Sequence, residues 1–384
     1  MSVTYPKGFR AAGVVAGLKA SGNKDVALVV NDGPIAVSAG VFTSNRIKAA
    51  PVLWTAQCAQ TSDFRAVILN SGGANACTGP EGFADTHHTA EHVASILQIA
   101  PIEVAVCSTG LIGKRLPMDL LTAGISQAAN LLSEQAGQDA AEAIMTTDSV
   151  SKTSTYDSIA GWKVGGMAKG AGMLAPGLAT MLVVITTDAI IDRELADSAL
   201  RNSASITFDR IDSDGCMSTN DTVLLLASGA SGVEAHPVDF ATAVESVCRD
   251  LARQLIADAE GSTKDIRIVV EHAATVENAV EVARSVARSN LLKCAIHGED
   301  PNWGRVLAAL GTTQAAFEPD GIDVDFNGIA VCRKGAALAQ EPVVDLGGRE
   351  VLIRIDLNAG TQTADLWTND LTAMYVHENS AYST

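Results

Sequence analysis

The sequence predicts a mixed α/β protein in which helices cover the faces of β-sheets. Three observations predict it: short apolar runs as long as buried strands, longer segments with helical apolar periodicity, and a composition rich in small apolar residues. Hydrophobic residues make up 47% of the 384 residues, aromatic residues only 4%, and there are 33 glycines. We therefore expect a core packed tightly from Ala, Val, Leu and Gly. At roughly 150 residues per domain, the length predicts two domains or one large two-lobed unit.

Short apolar runs mark the strand candidates. These are Ala27–Val30, Ala66–Leu69, Glu103–Cys107, Thr180–Thr186, Thr222–Ala227, Ile266–Val270 and Val351–Leu357. Apolar residues on one helical face predict helices over 238–255 and 276–286. We expect the first of these helices to stop at Gly261, because glycine readily adopts the left-handed conformation found just past a helix end. The region 323–375 is predicted to be rich in strands.

The charge and hydropathy of the chain exclude several classes of partner. The formal net charge is −17, from 27 basic and 44 acidic side chains, without a Lys/Arg cluster. Nucleic acids and anionic membrane surfaces are disfavoured because both require concentrated positive charge. A membrane-spanning helix needs about 20 consecutive apolar residues, whereas the longest uninterrupted runs are Met181–Ile185 and Val223–Ala227. Residues 1–20 lack a signal-peptide pattern, so we expect a cytoplasmic protein.

Metal and disulfide sites are not predicted. The seven cysteines are odd in number, far apart and without a CxxC pair, which indicates buried thiols in a reducing compartment. His88, Glu91 and His92 match the HxxEH order of inverted zinc peptidases. No third-ligand motif accompanies them, and the adjacent His87 suggests a polar surface, so a solvated helix face is the favoured interpretation. No cofactor is predicted.

A glycine-rich segment at 165–177 leads directly into the strand candidate that begins at Thr180. Within it, residues 170–175 match the dinucleotide fingerprint GxGxxG/A, which must follow a strand and open a helix. Pro176-Gly177 and a β-branched run follow instead, so nucleotide binding is disfavoured. Glycines allow such a loop to adopt turns that other residues cannot.

Other polar segments allow both a structural and a functional interpretation. Segment 107–113 ends a strand candidate in a turn of small residues, and turns of this kind can aim backbone N–H groups at a developing anion. An ordinary turn explains the same composition. Segment 70–79 also follows a strand candidate and either lines a pocket or makes tight turns. Glu260 is predicted in the last turn of its helix, at the unfavourable end of the dipole. It is either a solvated surface group or a carboxylate aimed at a cationic ligand group. Asp300–Arg305 either pins a loop or lines a site.

Several segments together resemble one family, the ornithine acetyltransferases, or glutamate N-acetyltransferases, of arginine biosynthesis. They span essentially the whole chain in order. The segments are Val41–Asn45, Cys107–Gly110, Met145–Asp148, Lys169–Leu182, Ser218–Thr222, Asp300–Arg305 and Asn379–Thr384. The lysine-glycine loop that ends in Ala-Thr-Met-Leu is highly specific. The resemblance implies a layered α/β sandwich similar to the N-terminal-nucleophile hydrolases but with different connectivity.

The resemblance also implies self-cleavage before the threonine of Ala-Thr-Met-Leu. The scissile bond would be Ala179–Thr180, giving an α chain of residues 1–179 and a β chain of residues 180–384 that pack as one two-lobed unit. Two copies of each would form an α2β2 heterotetramer. The Thr180 hydroxyl can attack the Ala179 carbonyl in an N-to-O acyl shift. Cleavage then frees an α-amine whose reference pKa of about 7.7–8.0 suits a general base.

The implied activity is ping-pong acyl transfer. N2-acetylornithine gives its acetyl group to Thr180, ornithine leaves, and L-glutamate takes the acetyl group to form N-acetylglutamate. By the same resemblance, Thr109 and Gly110 form the oxyanion hole. The positions that match substrate-contacting residues are Thr146, Lys169, Thr180, Glu260, Asn379 and Thr384. Lys169 suits a substrate carboxylate, and Glu260 suits an ornithine ammonium.

The chain departs from the usual family pattern at a few positions. Ala171, Ala175 and Gly177 replace a common serine, histidine and asparagine in the cleavage loop, and Gly73 replaces a common asparagine. None removes the nucleophile or an oxyanion donor, so we expect acetyl transfer, whereas the rate and completeness of self-cleavage are left open. Acetyl-CoA as a second donor is also left open, because no CoA-binding motif is legible and the family's bifunctional members carry none.

Two alternatives are compatible with the same sequence features. One is a self-processing aminopeptidase or amidase that uses the same N-terminal threonine with water as acceptor. The tail at 379–384 and Glu260 argue against it, because they match positions that recognise ornithine and glutamate in the resembling family. The other is a non-enzymatic binding protein whose glycine loop shapes a pocket.

Overall fold

The structure, a computed structural model, describes residues 2–175 and 181–381. The chain divides into two compact units. Unit 1 contains the described residues up to 209 together with 216–255, and unit 2 contains 210–215 and 256–381. This boundary differs from the predicted cleavage site at 179/180. The division into α and β chains therefore remains a prediction about covalent processing.

Unit 1 is built on two sheets. Its strands are β1 (Phe9–Val14), β2 (Val26–Asn31), β3 (Val37–Phe42), β4 (Ala66–Ser71), β5 (Val104–Thr109), β6 (Lys152–Asp157), β7 (Lys163–Lys169), β8 (Leu182–Thr187) and β9 (Thr222–Ala227). The four-stranded sheet has the order β1-β2-β4-β5, and its β4–β5 pair is parallel. The five-stranded sheet has the order β3-β9-β8-β7-β6, with β8 and β9 parallel and β7 and β8 antiparallel.

Helices complete the layers of unit 1. They are α1 (Ala50–Cys58), α2 (Gly79–Leu97), α3 (Met118–Asn130), α4 (Gly137–Ala143), α5 (Arg193–Ile206) and α6 (Pro237–Ala257), whose last two residues belong to unit 2. One apolar core joins both sheets with α2 and α3. On the five-stranded sheet, Gly166 of β7 lies against Val247 and Leu251 of α6. Every residue of β4, β5, β8 and β9 is buried, as expected for strands covered on both faces. The predicted layered α/β sandwich is confirmed.

Unit 2 contains one six-stranded sheet. Its strands are β10 (Asp265–Ala273), β11 (Asp323–Phe326), β12 (Ile329–Arg333), β13 (Ala336–Ala337), β14 (Glu350–Asp356) and β15 (Gln362–Asn369), in the order β13-β12-β11-β14-β10-β15. Its helices are α7 (Val276–Ala287), α8 (Asn290–His297), α9 (Trp303–Leu310) and α10 (Ala373–Ala381). The apolar faces of α7 and α8 pack with the sheet in a separate core. The predicted strand-rich region at 323–375 is confirmed.

The strand candidates all lie in strands, apart from a few terminal residues. The candidate that starts at 180 begins outside the described residues, and its described part forms β8. Glu103 lies in a single 3₁₀ turn, so β5 starts one residue later than predicted. None of the helices in the described part of the chain is long and apolar enough to span a membrane.

One predicted helix end is wrong. Helix α6 ends at Ala257 rather than at Gly261, because tight turns follow it, with hydrogen bonds from Ala259 N to Ile256 O and from Ser262 N to Ala259 O. Gly261 does adopt the left-handed conformation, with φ +64°. A Cβ there would clash with the backbone of Tyr375, so close backbone approach also requires this glycine. Glu260 consequently lies in the turn after the helix.

Candidate active site

The end of β5 in unit 1 holds the predicted oxyanion residues. Thr109 is the last residue of β5, and Gly110 follows with φ +125°. A Cβ at position 110 would lie 2.6 Å from Gly73 N, so both conformation and space require glycine. Hydrogen bonds from Gly73 N to Thr109 O (3.0 Å) and from Ala74 N to Leu111 O (2.9 Å) join this loop to the loop after β4.

These bonds fix the direction of a backbone donor. In a trans peptide the C=O and N–H groups point in opposite directions. Because Thr109 O accepts from Gly73 N, the Gly110 N–H must point away from Gly73. The Thr109 Oγ1 accepts a hydrogen bond from Lys169 Nζ at 3.4 Å, which leaves its own hydroxyl proton to be donated. A backbone N–H and a hydroxyl beside a cation are suited to stabilising an oxyanion.

Asp148 joins two of the predicted site positions of unit 1, Thr146 and Lys169. Its Oδ2 accepts from Thr146 N at 2.9 Å and lies 3.9 Å from the Nζ of Lys169, the last residue of β7. Its Oδ1 accepts from Gly170 N at 2.6 Å and from Lys152 Nζ at 2.7 Å. The side chain of Asp148 is completely buried, and the Lys169 side chain is 2% exposed.

The electrostatic balance at Asp148 favours its charged form. Burial acts to raise the pKa of this carboxyl, but Lys169, Lys152 and the Thr146 amide outweigh it and lower the pKa to about 2. Asp148 lies in the Met145–Asp148 motif of the resembling family but was not among the predicted site residues. The sequence contains Lys152 and Lys169 after Asp148, but only the fold shows that both lysines pair with this carboxylate.

Asp221 holds the residue that follows the predicted nucleophile. This fully buried carboxyl accepts from Met181 N through Oδ1 at 3.1 Å, while Met181 O accepts from Thr222 N at 3.2 Å. Burial raises the pKa of Asp221 well above its usual value, against the opposing influence of the Met181 amide and of the charge on Lys169. Sequence reasoning also missed this residue, which lies inside the Ser218–Thr222 motif. The predicted Ala179 and Thr180 lie outside the described residues.

Unit 2 brings together two other predicted positions. Glu260 is 9% exposed, and its Oε2 accepts from Asn379 Nδ2 at 2.9 Å. Asn379 lies on α10, whose start is capped by the Thr372 hydroxyl accepting from Tyr375 N at 3.0 Å. Glu260 is therefore not a solvated surface group. The last predicted position, Thr384, lies outside the described residues.

Other segments have structural roles. His88 and Glu91 are exposed on α2, and His92 Nε2 contacts Ser126 Oγ at 2.9 Å on α3, as a helix face predicts. Within 2–175 and 181–381, no cluster of three or more His, Cys, Asp or Glu side chains could hold a metal ion.

Two further segments are also structural. Residues 170–175 follow β7 but open no helix, so the context of a dinucleotide fingerprint is missing. In the segment Asp300–Arg305, Asn302 caps α9 and Arg305 bonds to Leu291 O, which pins the loop.

Three of the four residues that depart from the family pattern lie in the described part of the chain, and each fits its surroundings. Ala171 and Ala175 are buried in the glycine-rich segment after β7. Gly73 donates to Thr109 O, and a Cβ at position 73 would approach Leu116. Gly177 lies outside the described residues.

Comparisons with known proteins agree with the sequence resemblance. The ArgJ family model matches residues 10–384. The arginine biosynthesis bifunctional protein ArgJ of Streptomyces avermitilis is 64% identical over 384 residues, and that of Thermobifida fusca is 56% identical, each alignment covering both chains completely. A solved ornithine acetyltransferase of Mycobacterium tuberculosis, complexed with ornithine, is 59% identical with a TM-score of 0.45, covering 47% of this chain and 96% of its own. The chain belongs to the ArgJ family and is an acyltransferase of arginine biosynthesis.

Proposed function

We propose that this enzyme transfers the acetyl group of N2-acetylornithine to L-glutamate through an acetyl-Thr180 intermediate. The observation that carries the proposal is the contact between Lys169 Nζ and Thr109 Oγ1, in which a buried cation meets the hydroxyl of the residue before Gly110. Full-length similarity to ArgJ proteins supports the same activity. A −17 net charge repels anionic glutamate, so local groups such as Lys169 must supply its attraction.

The nucleophile is released by self-cleavage of the Ala179–Thr180 bond. Thr180 Oγ attacks the Ala179 carbonyl carbon, the C–N bond breaks, and an ester with a free Thr180 α-amine results. Water then hydrolyses the ester to give the Ala179 carboxylate and the Thr180 hydroxyl. The products are chains of 179 residues and, by 384 − 179, 205 residues. Fixed backbone groups at Met181 support this step, because they restrain the residue next to the reacting bond.

The transfer uses two matching half-reactions. The Thr180 α-amine accepts the hydroxyl proton as Oγ attacks the acetyl carbonyl, and the Gly110 N–H and Thr109 hydroxyl stabilise the oxyanion. The C–N bond to ornithine then breaks, and the ornithine amine leaves with a proton from the α-ammonium. The amine of glutamate next attacks acetyl-Thr180, giving N-acetylglutamate and restoring the hydroxyl.

Substrate recognition is divided among the remaining predicted positions. Lys169 binds the substrate carboxylate, while Glu260, oriented by Asn379, binds the side-chain ammonium of ornithine. Thr146 and Thr384 contact the substrate as in the resembling family. An α2β2 heterotetramer, a cytoplasmic location and acyl transfer without a metal or other cofactor complete the proposal.

Acetyl-CoA is a second acetyl donor in this proposal. The relatives are named bifunctional proteins, which favours a second activity. Assays with acetylornithine and acetyl-CoA as separate donors will distinguish the two activities. N-acetylglutamate formed only from acetylornithine would contradict the second activity and leave the first intact.

Replacement of the nucleophile tests the central proposal. Thr180→Ala should give one uncut chain of 39.7 kDa without acetyl transfer, because both the hydroxyl and the new α-amine are lost. Intact-mass measurement gives the cleavage state, and peptide mass analysis should find acetylated Thr180 in the wild type supplied with acetylornithine alone. The exposed Thr361→Ala is the control and should behave like the wild type. Acetyl transfer by Thr180→Ala would contradict the assignment, and release of acetate without glutamate dependence would favour an amidase.

A further inference from the structure

Asn220 is a buried side chain that holds two backbone carbonyl groups. It is 4% exposed and lies just before β9. Its Nδ2 donates to Ala74 O at 2.6 Å and to Ser108 O at 2.8 Å. Its Oδ1 accepts from the Thr219 hydroxyl at 2.6 Å. Because carbonyl oxygens only accept, this arrangement defines which end of the amide faces them.

The two carbonyls lie in the two segments beside the predicted oxyanion hole: Ser108 precedes Thr109 at the end of β5, and Ala74 lies in the loop after β4. Ser108 O is part of the peptide group that carries the Thr109 N–H, so Asn220 fixes the plane of that peptide. Ala74 O lies in the loop that supplies Gly73 N, the donor to Thr109 O. The next peptide, which carries the Gly110 N–H, is fixed by that donor.

Rotation of either peptide would damage an oxyanion hole. If the peptide at Gly110 turned over, it would present the Thr109 carbonyl oxygen where an N–H is needed, and the negative end of the carbonyl dipole would then face the oxyanion. A side chain that donates to both loops resists this rotation. Asn220 lies 112 positions from Ser108 and 146 positions from Ala74 in the sequence, so no local interaction can replace these two hydrogen bonds.

We infer that Asn220 is a positioning residue that holds the oxyanion hole of Thr109 and Gly110 in its working conformation. The inference rests on the proposed function, because it assumes that these two residues stabilise the oxyanion of acetyl transfer. Asn220 acts through backbone groups and contacts no reacting atom in this role. Since the oxyanion exists only in the transition state and intermediate, Asn220 affects kcat more than KM.

The test compares Asn220→Ala with the wild type, with rates expressed per mole of cleaved enzyme. We expect kcat, and the single-turnover rate of Thr180 acetylation by acetylornithine, to fall roughly 10- to 100-fold, less than the loss of an oxyanion donor itself, with little change in KM. Thr219→Val keeps Asn220 but removes the hydroxyl that orients it, so a smaller fall in kcat is expected. This second variant also serves if Asn220→Ala does not fold.

Asn31→Ala is a matched control. Asn31 is 2% exposed, and its Nδ2 donates to two carbonyls, Ile35 O at 3.2 Å and Ala227 O at 3.0 Å, at the opposite end of β9. It should lose comparable stability but keep kcat. The inference would be overturned if kcat were unchanged in the cleaved Asn220 and Thr219 variants, or if Asn31→Ala lost as much kcat as they do. An effect of the Asn220 and Thr219 substitutions on KM alone would also overturn it. A cleaved wild type that transfers no acetyl group would overturn the proposed function and this inference with it.

Discussion

The two units hold their candidate site residues in different physical settings. In unit 1, Thr109, Asp148 and Lys169 are buried, and Asp148 alone accepts three hydrogen bonds. In unit 2, Glu260 is bound by Asn379, which projects from α10, a helix without a buried residue. Buried groups with several partners are fixed before substrate arrives, whereas a partner on an exposed helix can adapt. The difference suits the oxyanion stabilisation and carboxylate binding proposed for unit 1 and the binding of the ornithine side chain proposed for unit 2.

Buried carboxyls in the two units also differ in their protonation. Asp148 of unit 1 has a pKa lowered to about 2, because two lysines and a backbone amide outweigh its burial. Asp212 of unit 2 is ion-paired with Arg288 at 2.7 Å, yet burial dominates and raises its pKa. Asp212 also accepts from Gly215 N at 3.0 Å and lies near Lys293, so partners of the same kinds outweigh burial at Asp148 but not at Asp212.

Asp148→Asn should have the largest effect of the substitutions that test this comparison between the units, because it removes the buried charge that joins Thr146 and Lys169 in unit 1. It leaves Lys152 buried without this partner, and such a loss costs about 3–5 kcal/mol of folding stability. Thr146 and Lys169 lose their common acceptor, so kcat/KM should fall at least 100-fold. Thermal unfolding and acetyl-transfer assays measure the two effects. Wild-type activity in a stably folded Asp148→Asn would show that unit 1 is not organised through this carboxylate.

The acid sensitivity of Asp148 gives a second readout of the same variant. Its folded pKa of about 2 lies below the ordinary value of 3.8, so its contribution to stability is complete above about pH 4 and is lost as the pH falls towards 2. This contribution is roughly 2 kcal/mol, and Asp148→Asn should lack that part of the acid-induced loss. Asp212→Asn is the control and should retain it, because the pKa of Asp212 is shifted in the opposite direction.

Lys169→Met should have the next largest effect. Removal of the ammonium leaves the substrate carboxylate without its buried partner, and kcat/KM should fall about 100-fold, mainly through KM. Steady-state kinetics with both acetylornithine and glutamate will measure it. Lys163→Met, at the other end of β7 and beside the exposed Asp157, should leave both KM values unchanged. An unchanged KM in Lys169→Met would remove this lysine from carboxylate recognition.

Glu260→Gln should have the smallest effect and should be selective. Ornithine has a side-chain ammonium and glutamate does not, so kcat/KM for acetylornithine should fall about 10-fold while the glutamate half-reaction stays near wild type. Separate measurement of Thr180 acetylation and deacetylation distinguishes the two. Glu299→Gln, beside Lys264 in unit 2, is the control and should change neither half-reaction. Equal losses in both half-reactions of Glu260→Gln would argue against ornithine recognition.

Local sequence patterns predicted local structure well. The apolar run at Thr222–Ala227 corresponds to β9, in which every residue is buried. The run at Ile266–Val270 corresponds to β10, in which Arg267 is exposed and the other residues of the run are buried. The end of α6 could not be predicted, since Gly261 is required by the backbone of α10, more than 100 residues away. Pattern alone predicted a helix-end role for that glycine.

The site was only partly predictable for a similar reason. Thr109, Gly110 and Lys169 were found because they lie in motifs that resemble a known family. Asp148 and Asn220 lie in such motifs too, but their roles depend on partners distant in sequence, such as Lys169 for the first and Ser108 for the second. Hydrogen bonds of this kind follow from tertiary packing and have no periodic pattern.

The pairing of β7 with β8 determines what the proposed cleavage does to the five-stranded sheet. These interior strands are antiparallel neighbours, from Val164 opposite Thr187 to Lys169 opposite Leu182. The proposed cut falls in their connection, so it breaks no bond of this ladder. Fragments 1–179 and 180–384 each carry one interior strand whose pairing partner lies in the other fragment. Under the proposed cleavage, each fragment would complete the other's five-stranded sheet.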